Sequence, residues 1–344
     1  MRSMILLGPV LLLGQLSAAA PALAQAPGGT LGQVRARGEL ICGTNPGLPG
    51  FAQRDAGGVM RGLDADTCRA VAAAVLGDAS KVRFVPVATP EAPAALREGR
   101  VDLVARNMTQ TMSRDVDLGL SPAGINFYDG QSFLVPVASR VEEGKALDGK
   151  RVCVHPGTSN EVALSDSARR LGITVTQVPL TGLAATGEAY AAGRCDAVTG
   201  DVSFLLVLRQ TRTADPAAHQ VLPDIISREP LGPLVRDGDA QWRSVVTWVV
   251  NAMLEAEALD VTSANAAARR GDPSIRIRRF LGAEPGMGAP LGLADDWVFR
   301  IVSEVGNYAE VYERSLGAGS PFKLPRGLNA LWNRGGLMYP IPMR

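Results

Sequence analysis

Short apolar strands alternate with amphipathic helices along most of the chain, and this alternation limits the fold more than any other sequence feature. Segment 40–44 predicts a strand, and segment 64–76 predicts a helix because Cys68, Val71 and Val75 recur at helical spacing. The same criteria predict strands at 82–87, 101–105, 151–155, 174–178 and 196–198. They predict helices at 90–99, 161–171 and 202–208, and a further helix that follows the strand 174–178 and ends at residue 192. Such alternation is typical of α/β folds with largely parallel sheets.

The order of these segments occurs twice in the chain. Before residue 105, a strand leads through a turn into a helix, and further strands and a helix follow. After residue 148 the same order begins again. Because 46% of the residues are apolar, the chain can form two hydrophobic cores. We therefore expect two similar α/β lobes.

The N-terminal segment has the composition of a signal peptide. Met1 and Arg2 precede an apolar run that ends in small residues and the triplet Ala22-Leu23-Ala24. The run, about ten residues long, is shorter than the roughly 20 that span a bilayer. We expect residues 1–24 to be removed after about Ala24. The mature protein should be periplasmic, with neither a lipid anchor nor direct membrane insertion.

The charge balance argues against nucleic acid and anionic membranes as partners. The chain carries 35 basic and 34 acidic residues, and no run of Lys and Arg exceeds three residues. It also contains no G-x-S-x-G, H-E-x-x-H or P-loop motif. We therefore expect no cofactor and no catalytic metal.

Four cysteines are spread along the chain without a C-x-x-C pair: Cys42, Cys68, Cys153 and Cys195. This spacing does not favour a zinc site. An even number of cysteines in an exported protein predicts two disulfides, and three connectivities are possible. We predict the local pairing of Cys42 with Cys68 and of Cys153 with Cys195, with four buried free thiols as the alternative.

Several longer motifs occur in a fixed order along the mature chain. One is the run Arg-Asn-Met-Thr-Gln-Thr-Met-Ser-Arg-Asp from Arg106, and another is Glu-Pro-Leu-Gly-Pro-Leu-Val-Arg from Glu229. The others lie at 62–72, 127–131, 152–161, 192–201, 306–314 and 327–337. In order and spacing they resemble the periplasmic amino-acid-binding proteins of ABC transporters, solute-binding protein family 3, in the general L-amino-acid-binding branch.

The resemblance implies the type II periplasmic binding protein fold, with two α/β lobes joined by a two-strand hinge that closes around a ligand. It places the chain crossings near 133–137 and 229–235. Lobe 1 would comprise 25–133 and 232–344, and lobe 2 would comprise 134–231. The segment 260–292 and the tail after 320 are longer than in the smallest members of the family, and the resemblance implies no function for either.

In lobe 1, the resemblance assigns the ligand's α-carboxylate to Arg114, which follows the turn Thr111-Met-Ser at the family's spacing. A planar guanidinium suits this role because two parallel hydrogen bonds match two carboxylate oxygens. Thr109 and Thr111 would add hydroxyl and backbone N–H groups. Gln110 departs from the pattern, since the branch usually has an aromatic residue there.

In lobe 2, the resemblance implies that Thr158 and Ser159 bind the same carboxylate. They precede a predicted helix, whose free N–H groups and dipole attract an anion. Asp201 matches the family's ammonium-binding aspartate, after the strand 196–198, where open α/β sheets place ligands. Its alternative role is an N-cap of the next helix, and Asp196 is the competing carboxylate.

The side-chain pocket would involve Asn45, Leu48 and Phe51, by position in the family's pattern. These residues carry no fixed charge, so several neutral or polar L-amino acids should bind. A strict preference for lysine, arginine or histidine is not expected.

The function implied by the resemblance is that of a substrate-binding component of an amino-acid ABC importer. Its partners would be a free L-amino acid and the membrane permease subunits. One alternative is a cyclohexadienyl or arogenate dehydratase-like enzyme on the same fold, for which His155 and Glu161 flank the carboxylate-binding turn. Another is ligand presentation to a chemoreceptor.

Overall fold

The computed structural model describes residues 29–343, so the predicted signal peptide lies outside the described residues. The helices are α1 (Gly29–Arg37), α2 (Leu63–Leu76), α3 (Ala92–Arg97), α4 (Ser159–Leu171), α5 (Leu183–Ala191), α6 (Val202–Arg212), α7 (Ala240–Ala258), α8 (Ala266–Arg269), α9 (Ile275–Phe280), α10 (Trp297–Glu304) and α11 (Tyr308–Ser315). The strands are β1 (Leu40–Thr44), β2 (Gln53–Arg54), β3 (Met60–Arg61), β4 (Val82–Pro86), β5 (Leu103–Val104), β6 (Leu120–Pro122), β7 (Phe127–Pro136), β8 (Arg151–Val154), β9 (Thr176–Pro179), β10 (Ala197–Asp201), β11 (His219–Val221), β12 (Ser227–Leu231) and β13 (Leu234–Arg236).

Lobe 1 is built on a sheet with the order β4-β1-β5-β13-β6. Strand β1 pairs in parallel with β4 and β5, whereas β13 is antiparallel to β5 and β6. Every residue of β1 is buried, and its neighbours Ile41 and Cys42 belong to different hydrophobic clusters. Side chains on both faces of the sheet are therefore covered, which is the usual environment of parallel strands.

Lobe 2 is built on a second sheet with the order β11-β7-β10-β8-β9, to which β12 adds by pairing with β7. Strands β8, β9 and β10 are parallel, and β7 is antiparallel to β10, β11 and β12. The two α/β lobes predicted from the sequence are confirmed.

The chain passes from lobe 1 to lobe 2 at 123–126 and returns at 232–233. The return lies within the predicted range, but the first passage precedes the predicted 133–137. The reason is the length of β7, because its first half pairs with β12 and its second half pairs with β10. Residues 127–133 therefore belong to the sheet of lobe 2.

Strands β7 and β12 form an antiparallel ribbon beside the two passages between the lobes. Leu231 at the end of β12 also bridges to Thr109 of lobe 1. This ribbon is therefore the part of lobe 2 that lies nearest to the backbone of lobe 1's binding turn.

Both predicted disulfides are confirmed. The Cys42–Cys68 bridge joins β1 to α2, and the Cys153–Cys195 bridge joins β8 to the turn before β10. Each bridge stays within one lobe, so neither links the lobes covalently.

The C-terminal part completes lobe 1 by packing α7, α10 and α11 beside α2. The tail is fixed to the start of β7 by Asn329, whose side chain accepts the N–H of Tyr128 at 2.7 Å and donates to its carbonyl oxygen at 2.9 Å. Across residues 29–343, no helix has both the length and the apolar composition needed to cross a membrane.

Candidate ligand-binding cleft

A cleft lies between the lobes at the carboxyl ends of β1, β5, β8 and β10. With the solvent-filled mouth included, it has an empty volume of about 560 Å³. The lining residues are Asn45, Gly47, Leu48, Thr89, Arg106, Asn107, Met108, Thr109, Arg114, His155, Thr158, Ser159, Asn160, Gly182, Leu183, Asp201 and Phe204. This position matches the general rule that open α/β sheets bind ligands beyond the carboxyl ends of their strands.

Arg114 lines the cleft from lobe 1 and is only 8% exposed. Its Nη1 donates to the carbonyl oxygen of Thr109 at 2.6 Å, which fixes the direction of the guanidinium. Burial lowers the pKa of Arg114, while Glu229 and Asp201 act in the opposite direction. Since a guanidinium stays charged in proteins, the lobe 1 wall carries a buried cation.

Asp201 lines the cleft from lobe 2 and is 6% exposed. It occupies the N-cap position of α6, but its side chain forms no capping hydrogen bond there. Instead, its Oδ1 accepts a hydrogen bond from Nδ2 of Asn160 at 2.8 Å. Burial raises the pKa of Asp201 well above its usual range, and the nearby Asp129 and Glu229 raise it further. The lobe 2 wall thus carries a buried carboxyl group that a cation would stabilise.

Asp196, the competing carboxylate, lies away from the cleft. Its Oδ1 pairs with Nη2 of Arg151 at 2.8 Å, and its Oδ2 accepts the backbone N–H of the same residue at 2.9 Å. These contacts engage both carboxylate oxygens of Asp196. The residue lies just before the start of β10, whereas Asp201 is at the end of that strand.

Glu229 of β12 connects the two walls of the cleft. Its Oε2 accepts hydrogen bonds from the hydroxyl of Thr109 at 2.5 Å and from that of Ser159 at 3.0 Å. The two hydroxyl oxygens are themselves 3.2 Å apart. Thr109 belongs to lobe 1 and Ser159 to lobe 2, so one buried carboxylate holds both lobes together.

The start of α4 presents its N-terminus to the cleft. Thr158 is the N-cap residue, and its hydroxyl donates to the carbonyl oxygen of His155 at 2.7 Å. Ser159 begins the helix and lines the cleft with Thr158. Free N–H groups in the first turn of an α-helix are favourable partners for an anion.

Of the residues predicted for the side-chain pocket, Asn45 and Leu48 line the cleft, whereas Phe51 does not. Phe51 is fully buried in lobe 1, where its ring packs edge-to-face on Phe127 with centroids 5.3 Å apart. Its place in the family's pattern gives the turn on which Phe51 lies but not the direction of its ring.

Thr111 also lies outside the cleft lining. Its hydroxyl accepts the backbone N–H of Arg114 at 3.3 Å, so it shapes the turn that carries the arginine. Gln110, which departs from the family's pattern, donates from its side chain to the carbonyl oxygen of Gly124 and contacts the hinge.

His155 and Glu161, the residues considered for proton transfer, are placed differently. His155 lines the cleft, and its Nε2 is 3.1 Å from the hydroxyl of Thr186. Burial, followed by the charge of Arg106, lowers the pKa of His155 to about 4. Glu161 accepts the N–H of Gly157 at 2.8 Å and is not part of the lining.

Sequence reasoning assigned no role to two charged residues of the site, Arg106 and Glu229. Arg106 directly follows the predicted strand 101–105, and this position at a strand's carboxyl end was the available signal. Glu229 falls within the predicted second crossing, where the sequence does not reveal which way a side chain points. Arg106 also gives the cleft a fixed charge, whereas the pocket predicted from Asn45, Leu48 and Phe51 had none.

Comparison with known proteins gives consistent matches over most of the chain. Residues 40–264 match the bacterial extracellular solute-binding proteins of family 3. The general L-amino acid-binding periplasmic protein AapJ of Rhizobium johnstonii is 44% identical over 317 residues, covering 92% of this chain and 93% of that protein. The glutamate/glutamine/aspartate/asparagine-binding protein BztA of Rhodobacter capsulatus is 45% identical over 334 residues, covering 96% and 98%. A solved periplasmic binding protein from Brucella ovis with glutathione bound is 45% identical, with a TM-score of 0.89, covering 92% of this chain and 99% of its own.

Proposed function

The chain belongs to the bacterial extracellular solute-binding proteins of family 3, and on this basis we propose that it is the periplasmic substrate-binding component of an amino-acid ABC importer. Its lobes close on a free L-amino acid and deliver it to the membrane permease subunits. We assign residues 1–24 to a signal peptide cleaved after about Ala24. Among the described residues, lobe 1 comprises 29–126 and 233–343, and lobe 2 comprises 127–232.

The observation that carries this proposal is the pair of opposite buried charges on the two walls of one cleft. Arg114 of lobe 1 offers a guanidinium fork to the α-carboxylate, and Asp201 of lobe 2 offers a carboxylate to the α-ammonium. A zwitterion satisfies both groups at once, and charges that leave water need such partners. The L-amino acid therefore bridges the lobes.

The start of α4 supports the same orientation of the ligand. Backbone N–H groups near Thr158 and Ser159 complement the α-carboxylate beside Arg114. The hydroxyl of Ser159 donates to Glu229, so the backbone rather than this hydroxyl is the donor available to the ligand. The carboxylate is thus held from lobe 1 and lobe 2 together.

The range of side chains accepted is proposed to be fairly broad. Asn45 offers an amide and Leu48 an apolar surface in the remaining part of the lining. Asn45 already bonds to Asn107 at 2.9 Å and to the N–H of Gly47 at 3.1 Å. It is therefore a fixed rim of the pocket rather than a selective binding group for one side chain.

Binding without chemical change is favoured over dehydratase activity. The matched relatives of known function are named as binding proteins. His155 is neutral near pH 7 because its pKa is lowered to about 4, so it is not a proton donor there. The Glu161 carboxylate is engaged with a backbone N–H outside the lining.

Isothermal titration calorimetry with the twenty amino acids tests this function. Bound ligand is first removed by unfolding and refolding the protein. We expect several L-amino acids to bind and their D-enantiomers to bind weakly or not at all, since the α-groups are fixed from two sides. Absence of binding by any L-amino acid to the refolded protein would refute the proposal.

A further inference from the structure

Arg106 is a second buried cation in the cleft, and it is held rigidly. It is 7% exposed and lies two residues after the end of β5. Its Nε donates to the carbonyl oxygen of Val87 at 2.9 Å, and its Nη1 donates to the hydroxyl of Thr89 at 2.5 Å. These bonds fix the guanidinium plane and leave Nη2 for a group in the cleft.

Arg106 has no carboxylate in direct contact within residues 29–343, since no Asp or Glu oxygen lies within 4.0 Å of its guanidinium. Asp64 acts on it only at longer range, because the Asp64 oxygens accept the N–H of Asn107 at 2.6 Å and Nδ2 of Asn126 at 3.2 Å. A buried cation without a contacting anion is costly and is typical of functional sites.

The surroundings of Arg106 complement an anion. Thr89, Asn45 and His155 line the same cleft and supply polar groups without negative charge. Burial lowers the pKa of Arg106 to about 10 and that of His155 to about 4, so at neutral pH Arg106 is charged and His155 is not. This part of the cleft therefore carries a positive charge, on which Asp64, Arg114 and Asp201 act without a salt bridge to Arg106.

We propose that Arg106 binds the side-chain carboxylate of an acidic L-amino acid, so that the cleft prefers glutamate and aspartate among the amino acids it accepts. This inference rests on the proposed function, which assigns Arg114 and Asp201 to the α-groups. The rigid guanidinium offers a charge-assisted hydrogen bond to an acidic side chain, a neutral bond to an amide, and repulsion to a lysine side chain.

A purely structural role for Arg106 is the competing explanation. Its bonds to Val87 and Thr89 anchor the segment between β4 and α3. Loss of an anchor would weaken all ligands alike, whereas loss of a side-chain partner would weaken acidic ligands selectively. The comparison between ligands therefore separates the two roles.

The test is calorimetry of refolded wild type and Arg106→Met with L-glutamate, L-glutamine, L-alanine and L-lysine. For Arg106→Met we expect glutamate to lose about 10- to 100-fold in affinity while alanine changes less than about threefold. Lysine should bind more tightly than to the wild type. Arg236→Met is the matched control, since Arg236 is a half-buried arginine at the end of β13 that donates to the hydroxyl of Thr30 and does not line the cleft.

A wild-type measurement covers the case in which Arg106→Met does not fold. L-glutamate γ-methyl ester keeps both α-groups but replaces the side-chain carboxylate with a neutral ester that carries one extra methyl group, so it should bind wild type about tenfold or more weakly than glutamate. Equal binding of ester and acid, or equal losses for glutamate and alanine in Arg106→Met, would overturn the inference while leaving the proposed function intact. Failure of wild type to bind any amino acid would overturn both.

Discussion

Opposite charges buried in one cleft are the central feature at the residue scale. Arg114 and Asp201 are 8% and 6% exposed, yet neither forms an ion pair with an oppositely charged side chain within 4.0 Å among residues 29–343. Each group gives up much of its hydration for a position that a zwitterion can complement. Their energetic value should therefore be measured in ligand binding and not in folding.

Removing one of these charges should weaken binding strongly. Arg114→Ala leaves the ligand carboxylate without its charge partner, at a cost of about 3 to 5 kcal/mol, or about a hundredfold to several thousandfold in affinity. Asp201→Asn keeps the shape but removes the anion, so a comparable loss is expected. Calorimetry on both variants measures the effect, with thermal melts to show that they stay folded.

A surface arginine provides the control for Arg114→Ala. Arg100 is exposed and pairs with Glu98 at 2.8 Å, so Arg100→Ala should leave the affinity unchanged. If Asp201→Asn binds amino acids like the wild type, the assignment of the ammonium to Asp201 is wrong.

Amino-acid affinity should fall as the pH decreases, starting above the usual titration range of an aspartate. The pKa of Asp201 is raised, so the group takes up a proton on acidification and loses its charge for the ligand ammonium. Above that pKa Asp201 is ionised and the affinity is constant; near it, ligand binding releases a proton. Asp64 and Asp129, whose pKa values are each raised to about 6, also titrate on acidification.

Calorimetry from about pH 8 to about pH 5, in buffers of different ionisation enthalpy, measures both the affinity and the proton release. In Asp201→Asn the remaining pH dependence reports the other carboxyl groups. A wild-type affinity that does not change over this pH range, with no proton exchange on binding, would contradict a raised pKa of Asp201 in the protein that binds the ligand.

The sequence was sufficient to assign some residues to the site but not others. Arg114, Asp201 and Thr158 were assigned to the site from motifs of fixed spacing, and all three line the cleft, while their contacts with a ligand stay a prediction. Phe51 and Arg106 were missed or misassigned because spacing gives the position of a residue but not the direction of its side chain. That direction depends on packing partners distant in the chain, such as Phe127 for Phe51.

At the scale of elements, the two strands β7 and β12 control how the lobes are connected. They pair with each other, and Glu229 of β12 accepts hydrogen bonds from one hydroxyl of each lobe. The contact is local to the ribbon, so separation of the lobes would break it without disturbing either sheet.

Elements within a lobe were predictable, whereas the boundary between lobes was only partly so. The strand β1 matches its predicted residues, and α2 begins one residue earlier than predicted. The first passage was placed too late because β7 runs without a break from Phe127 to Pro136, and the partners of a strand are set by contacts distant in sequence.

Each disulfide should stabilise its own lobe without affecting ligand affinity. The bridges join cysteines 26 and 42 residues apart, which corresponds to roughly 3 to 4 kcal/mol each in the chain-entropy model. Replacing Cys153 and Cys195 by serine should lower the free energy of unfolding by about this amount, as measured by denaturant titration. Affinity well below the unfolding transition should stay the same, and a large loss of affinity would show that the bridge shapes the cleft.

At the scale of the whole molecule, the fold provides two rigid lobes with one cleft between them and two backbone passages. The polar groups that face the cleft come from both lobes, so a ligand is fully surrounded only when the lobes are together. A ligand that contacts both walls stabilises this arrangement by its differential affinity for it. The tail also contacts lobe 2, because Asn329 bonds to the backbone of Tyr128 at the start of β7.

Small-angle X-ray scattering of the refolded wild type, with and without a saturating L-amino acid that calorimetry has shown to bind, tests the two-lobe clamp most directly. If the zwitterion bridges Arg114 and Asp201 as proposed, closure should reduce the radius of gyration, and Asp201→Asn should show no reduction at the same amino-acid concentration. An unchanged radius of gyration for the ligand-saturated wild type would contradict the account, because the ligand would then bind without bringing the lobes together.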